Sequence, residues 1–465
     1  MDRFFEIEAR DEEELRRYWV DLGGERAMED SYLASFEEWA TRPGLGDKKL
    51  SLAANNLASF LRGAALFKAA EPLFRRALEI GERNFGPDHP NVAPPLKNLA
   101  GLLEDTNRLA EAEPLFRRAL EIDERNLGPE HSMVAGDLNN LGGLLKRTNR
   151  LAEAERLFRR ALEIDERNLG PGHPQVAIVL NNLADLLATS NRLAEAEKLH
   201  RRALEIDTRY FGRDHLEVAR DLNNLAALLQ GTSRLSEAEP LYRRALTIFE
   251  RSLGPEHPNV AVQLNNLAQL LQAENRLAEA EPLMRRALAI DERKFAPDHP
   301  NVAHHLSNLA QVLQAQNRLT EAEPLMRCAL ASFERSLGKE HPDVAVLLNN
   351  IASVLYATNR MSEAEPLLRR ALAIDEKGLG PEHPNVAIRL GGLATLLTVT
   401  NRMAEAEPLM RRHLEILFKF TRATQHPHPN LQAAINNYAI LLAKMGRSEE
   451  QIQATLRVMA PEFFG

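Results

Sequence analysis

The sequence predicts an all-α solenoid of about ten antiparallel helix hairpins, and three observations carry that prediction. A phrase that reads NRLAEAEPLFRRALEIDERNLGPEH at 107–131 returns at Asn149, Asn191, Ser233, Asn275, Asn317, Asn359 and Asn401, always at a step of 42 residues. The histidines His89, His131, His173, His215, His257, His299, His341 and His383 keep the same step. Within each period the apolar residues fall at helical spacing twice, separated by turn residues. A fixed period of this length marks units that cannot bury their apolar faces alone and stack on their neighbours.

The elements follow in chain order. Residues 1–46 carry thirteen Asp/Glu against six Arg, and they hold both tryptophans, Trp19 and Trp39, beside Phe4, Phe5, Tyr18 and Phe36. Their spacing reads as two or three short helices. Two roles stay open for this acidic, aromatic segment: a cap that covers the first hairpin, because terminal units lack a neighbour, or a docking segment that binds a partner or folds into the array's own groove as an autoinhibitor. The repeat array is expected over 47–459. In the copy at 131–174, Leu138, Leu141, Gly142 and Leu145 occupy i, i+3, i+4 and i+7 of a first helix. Thr148-Asn149-Arg150 follows, with Asn the non-glycine residue best suited to the left-handed conformation that closes a helix. A second, longer helix is predicted from Leu151 to Leu169, with Ala154, Phe158, Ala161 and Leu162 on its apolar face. Gly170-Pro171 stops it, and Pro174 suits the first turn of the next helix. Small residues at the meeting points, Gly142, Ala154 and Ala161, let helix axes approach to about 8 Å. LNNLA-like first helices from Asn55 to Asn436 give ten pairs, the last displaced by three residues through 421–428. The tail 460–465 closes the stack, with Phe463 and Phe464 either packed back or available for docking.

Composition narrows the function classes. A net charge of −8, of which the first 46 residues hold −7, argues against nucleic acid as a partner, since phosphate binding needs a clustered basic face. No run of 18 apolar residues occurs, so no membrane span is expected. The N-terminus is too acidic for a signal or transit peptide, and the chain is expected to stay in the cytoplasm where it is made. The single Cys328 replaces an Arg of the other copies, which suits a reducing compartment and gives no disulfide framework. No HExxH, Walker loop or GxSxG motif occurs, so the chain is read as non-enzymatic, with no cofactor, metal or small-molecule substrate.

The pattern LNNLA…NR…EAE…LFRRALEI resembles the tetratricopeptide repeat. Its 42-residue form, with GPEHPNVA between units, is similar to the repeats of kinesin light chains and their bacterial relatives over about residues 50–459. The resemblance implies a right-handed superhelix whose first helices line a concave groove that holds extended peptides. The heptad region through which kinesin light chains join their motor is not matched, so a motor role does not carry over.

Residues present in every copy are expected to serve unit-to-unit contact. The repeated His should hydrogen-bond in its loop and position the next helix; Arg159, Arg160 and the EAE glutamates should form a salt-bridged outer face. The unique pair His304-His305 reads as surface variation. The groove candidates are the first Asn of each LNNLA, which the family likeness places on the concave side: Asn55, Asn139, Asn181, Asn223, Asn265, Asn349 and Asn436. Lys97, Ser307 and Gly391 depart from that pattern. The amides Gln230, Gln269, Gln272, Gln311 and Gln314, with Tyr356, lie one or two turns further along the same face. Asn and Gln offer both donors and acceptors, which suits clamping a peptide backbone; a merely hydrated surface is the alternative. Selective charge recognition is expected near Lys97, Lys146, Arg147 and Arg220. Function is accordingly read as a protein-interaction scaffold or adaptor that binds an extended peptide, with a regulatory or inhibitory subunit of a separately encoded enzyme as the other reading.

Overall fold

The computed structural model describes residues 47–464, and the N-terminal segment 1–46 lies outside the described residues. Every regular element among the described residues is a helix. The helices pair into ten units: unit 1 is Asp47–Gly63 with Phe67–Phe85, unit 2 Ala93–Asp105 with Leu109–Leu127, unit 3 Ser132–Arg147 with Leu151–Leu169, and unit 4 Pro174–Thr189 with Leu193–Phe211. Units 5 to 9 repeat the plan down to Pro384–Val399 with Met403–Thr424, and unit 10 is Leu431–Lys444 with Glu449–Met459. The predicted second helix of unit 3 has the observed bounds.

Local chemistry sets each boundary. Asn149 takes φ 58°, as its counterparts from Asn107 to Asn401 take 58–61°, so the chain reverses within one residue. The reversal is closed by Arg150 N–H donating to Leu145 O at 2.9 Å. Most second helices end at glycines with φ near +90°, such as Gly128 at 90° and Gly170 at 86°. The repeated His then caps the next first helix: His131 Nδ1 accepts the main-chain N–H of Met133 at 3.1 Å, and His173 that of Gln175 at 3.1 Å. This is the positioning role expected of it.

The core runs the length of the stack. Leu138, Leu141 and Leu145 of one first helix are buried with Ala154, Phe158 and Ala161 of its partner. Gly142 is needed where it stands, since a Cβ there would lie 2.9 Å from the Phe158 ring. On the outer face, Arg192 joins Glu155 of the preceding unit at 2.8 Å and Glu195 of its own at 2.7 Å, and Arg159 reaches Glu155 at 2.6 Å. The same triplet recurs at Arg234, Arg276, Arg318, Arg360 and Arg402. Each exposed pair is worth little, yet the arrangement neutralises the repeated arginines unit by unit. At the C-terminus Phe463 stacks on Phe418 with ring centroids 5.3 Å apart, and Arg422 binds Glu462 at 2.7 Å, so this end of the tail is packed back.

The array closes on itself. His341 Nε2 meets Asp105 O at 3.2 Å across 236 residues, and Asn191 Nδ2 donates to Pro427 O at 2.9 Å across the same interval. Between them, the His383 ring faces the Arg147 main chain. Unit 2 therefore touches unit 8, unit 3 touches unit 9, and unit 4 touches unit 10: six units complete one superhelical turn. Hairpin tips of the first turn rest on the loops that open first helices of the second.

Candidate functional site

Neighbouring first helices pack directly on one another along the array, as the inner elements of a curve must. The two asparagines of LNNLA make that contact: Asn98 Nδ2 donates to Asn55 Oδ1 at 2.9 Å, Asn182 to Asn139 at 2.9 Å, Asn266 to Asn223 at 2.9 Å and Asn308 to Asn265 at 2.7 Å. Asn55, Asn139, Asn223 and Asn265 are thus acceptors in a unit-to-unit ladder, half-buried at Asn139 and Asn223 and buried at Asn265. Asn181, also half-buried, is held by other partners: its Nδ2 donates to Asp221 at 2.6 Å and its Oδ1 meets His200 Nδ1 at 2.8 Å. At Asn349 the following unit has Gly392 in place of the second Asn, so no side chain donates from there.

The other candidates divide. Gln269 and Tyr356 are exposed, and Gln272, Gln311 and Gln314 are half-exposed on the same inner strip. Gln230 accepts from Tyr242 Oη at 3.1 Å. Lys146 is half-exposed with Asp185 at 3.8 Å, and Arg220 is exposed beside Glu217 at 2.7 Å. Arg147 is occupied elsewhere: its guanidinium donates to Glu104 O at 2.8 Å and Asn107 Oδ1 at 3.3 Å, beside the hairpin tip.

Lys97 is not a recognition residue. It lies between Asp123 and Asp137, at 3.1 and 2.8 Å, inside the layer between a second helix and the next first helix. Burial disfavours its charge, but the Asp137 and Asp123 carboxylates outweigh that and raise its pKa. The same layer explains His305, which is 4% exposed and faces buried Asp291 at 3.1 Å, so the surface reading holds only for His304. Arg389 meets Asp375 there at 2.8 Å. Two members have no cation. Asp207 and Asp221 lie together, pushed up to about 6 and about 7, foremost by burial. Asp165 stands opposite Val179 with neither carboxylate oxygen hydrogen-bonded, and burial pushes it up to about 6.

One inner feature escaped the sequence reading. Three residues before the first Asn, Ile178, Val262, Val346 and Ile388 are 45, 41, 42 and 42% exposed, with Arg220 and His304 at the intervening units. The signal was present: first helices such as PQVAIVLNNLADLLAT carry more apolar residues than one buried stripe requires. The inner surface therefore carries an apolar residue at this position in units 4, 6, 8 and 9, and in units 6 and 7 glutamines lie two to three turns further along the helix.

The sequence profile of the tetratricopeptide repeat matches residues 50–125, 134–209, 190–251, 218–293, 262–335, 301–377 and 343–417. No curated protein was matched in sequence. Among solved structures, the chain is similar to a putative kinesin light chain with nearly identical TPR-like repeats from Podosopora anserina, at 25% identity and a TM-score of 0.37, over 44% of this chain and 97% of that one. It is similar also to BtubC (BKLC) from P. vanneervenii, at 22% identity and a TM-score of 0.39, over 52% of this chain and 93% of that one. No helix among the described residues is long and apolar enough to cross a membrane.

Proposed function

Because the chain belongs to the tetratricopeptide repeat family, a family of protein-interaction scaffolds, we propose that it holds an extended segment of a partner protein against the inner face of its superhelix. The observation that supports this reading most is the exposed apolar set Ile178, Val262, Val346 and Ile388, which recurs at one helix position in four of six successive units and is flanked by Gln269, Gln311 and Gln314. Solvent-facing aliphatic side chains one or two units apart, with amides that can both donate and accept, suit a backbone with apolar side chains at intervals. The half-buried asparagines support the wall on which that segment lies, and the exposed residues of the same helices make the contact.

The test uses random dodecapeptides displayed on phage, panned against the full chain, and then synthesised for binding measurements. Val262→Asp combined with Val346→Asp should weaken the selected peptides at least tenfold while leaving the melting temperature in place, because both side chains face solvent. Unchanged affinity in that double variant would refute the reading.

A further inference from the structure

The seam between the two superhelical turns has a missing rung. In units 8 and 9 the capping histidine reaches a main-chain group at a hairpin tip six units earlier: His341 meets Asp105 O at 3.2 Å, and His383 the main chain of Arg147. Asp105 and Arg147 stand 42 residues apart, so the matching partner for His299 of unit 7 is Gly63 of unit 1. That bond is not made. His299 Nδ1 accepts the Asn301 N–H at 3.2 Å, which leaves the proton of the neutral ring on Nε2. Among the described residues this buried Nε2 has no hydrogen-bond partner. Burial keeps the ring neutral, lowering its pKa to about 4 against the pull of Asp291 and Asp298.

Where the rung is absent the turns part around a cleft of about 1210 Å³, lined by Gly63 and Arg62 from unit 1, and by His299, Phe295 and Asn301 from the second turn. Phe60 and Phe67 add aromatic surface on the unit 1 side. The volume exceeds the roughly 300–1,000 Å³ of small-ligand pockets. The cleft combines apolar walls with a donor whose two counterparts in this chain bind main-chain groups. We propose that this cleft is a second binding site, taken by a polypeptide segment of a partner protein whose main-chain carbonyl accepts from His299 Nε2 and whose apolar side chains lie against Phe67 and Phe295. The segment replaces the hairpin tip that the other rungs supply. This rests on the reading that the chain binds extended polypeptides, and differs in where.

The experiment uses the same dodecapeptide library on the full chain. His299→Asn keeps a helix-capping acceptor but removes the Nε2 donor. Gly63→Trp fills the cleft from a position where an added Cβ meets nothing within 4 Å. A class of selected peptides should lose about tenfold in affinity with His299→Asn, lose binding with Gly63→Trp, and keep its affinity in the Val262→Asp, Val346→Asp double variant. Circular dichroism of each variant should match the parent. If every selected peptide is weakened only by the inner-face double variant, the cleft site is overturned and the groove reading stands. If peptides respond only to Gly63→Trp and His299→Asn, the cleft stands and the groove reading falls; if no peptide is selected, both fall.

Discussion

Replacing Asp165 with Asn should stabilise the array at pH 8 and change little at pH 4.5. Asp165 is fully buried, with neither carboxylate oxygen hydrogen-bonded, and its pKa is pushed up to about 6 by burial. A group whose folded pKa lies above its unfolded value contributes stability that is complete below the unfolded pKa, near 4, and is lost as pH rises through the folded pKa, near 6. A shift of about two units corresponds to roughly 3 kcal/mol between those limits. The amide of Asn needs partners of its own and gives back about 1 kcal/mol, leaving a net gain of about 2 kcal/mol at pH 8. Denaturant unfolding at the two pH values measures the difference, and hydrogen exchange at Phe158 and Leu183 localises it, since repeat arrays open unit by unit. Equal stabilisation at both pH values, or none at pH 8, would refute the account of Asp165 as a buried, uncompensated charge.

Three other outcomes follow from the same layers. Lys97→Met strands Asp123 and Asp137 and should cost about 3 kcal/mol at pH 8, with the loss shrinking below pH 7 as the Asp137 carboxyl, pushed up to about 7 foremost by burial, takes up its proton; denaturant midpoints across pH check it. Asn223→Leu should cost about 1 kcal/mol in stability, because it removes the acceptor of Asn266 at 2.9 Å; an unchanged unfolding midpoint would show that the ladder bond contributes nothing. Arg389→Leu, which leaves Asp375 buried without its partner at 2.8 Å, should destabilise more at pH 8 than at pH 5 in the same assay.

What the sequence made legible was local. The left-handed Asn149, the glycine stop at Gly170, the capping His131 and the paired helices all depend on residues within one period, so a short window contains their cause. Lys97 was misread because its register on the helix is that of an inner-face Asn, while its reach of four methylenes carries the ammonium into the neighbouring layer. His305 was misread because adjacency to His304 suggested variation, whereas one step round the helix turns it toward Asp291. The seam lay beyond any local reading. Contacts between Asp105 and His341 are fixed by the sum of small rotations over six units, and no pair of residues announces that sum. Gly378 shows the point: it reads as a helix-weakening glycine, yet a Cβ there would lie 2.7 Å from Asn107 Nδ2 on the previous turn.

That contact bears on how a ligand reaches the inner face. Three rungs close the turns, between units 2 and 8, 3 and 9, and 4 and 10. At about 1 kcal/mol each, parting them all costs about 3 kcal/mol, so roughly one molecule in a hundred or more stands open at a given moment. A segment too long to thread from an end binds only that fraction, and its apparent association is slowed in proportion. Gly378→Leu forces Asn107 away and removes the first rung without touching the inner face. It should raise the association rate of a groove-binding peptide about fivefold and leave its dissociation rate unchanged, at unchanged helicity. An unaltered association rate would mean that ligands enter from the ends of the tube, and that the seam holds the shape without gating it.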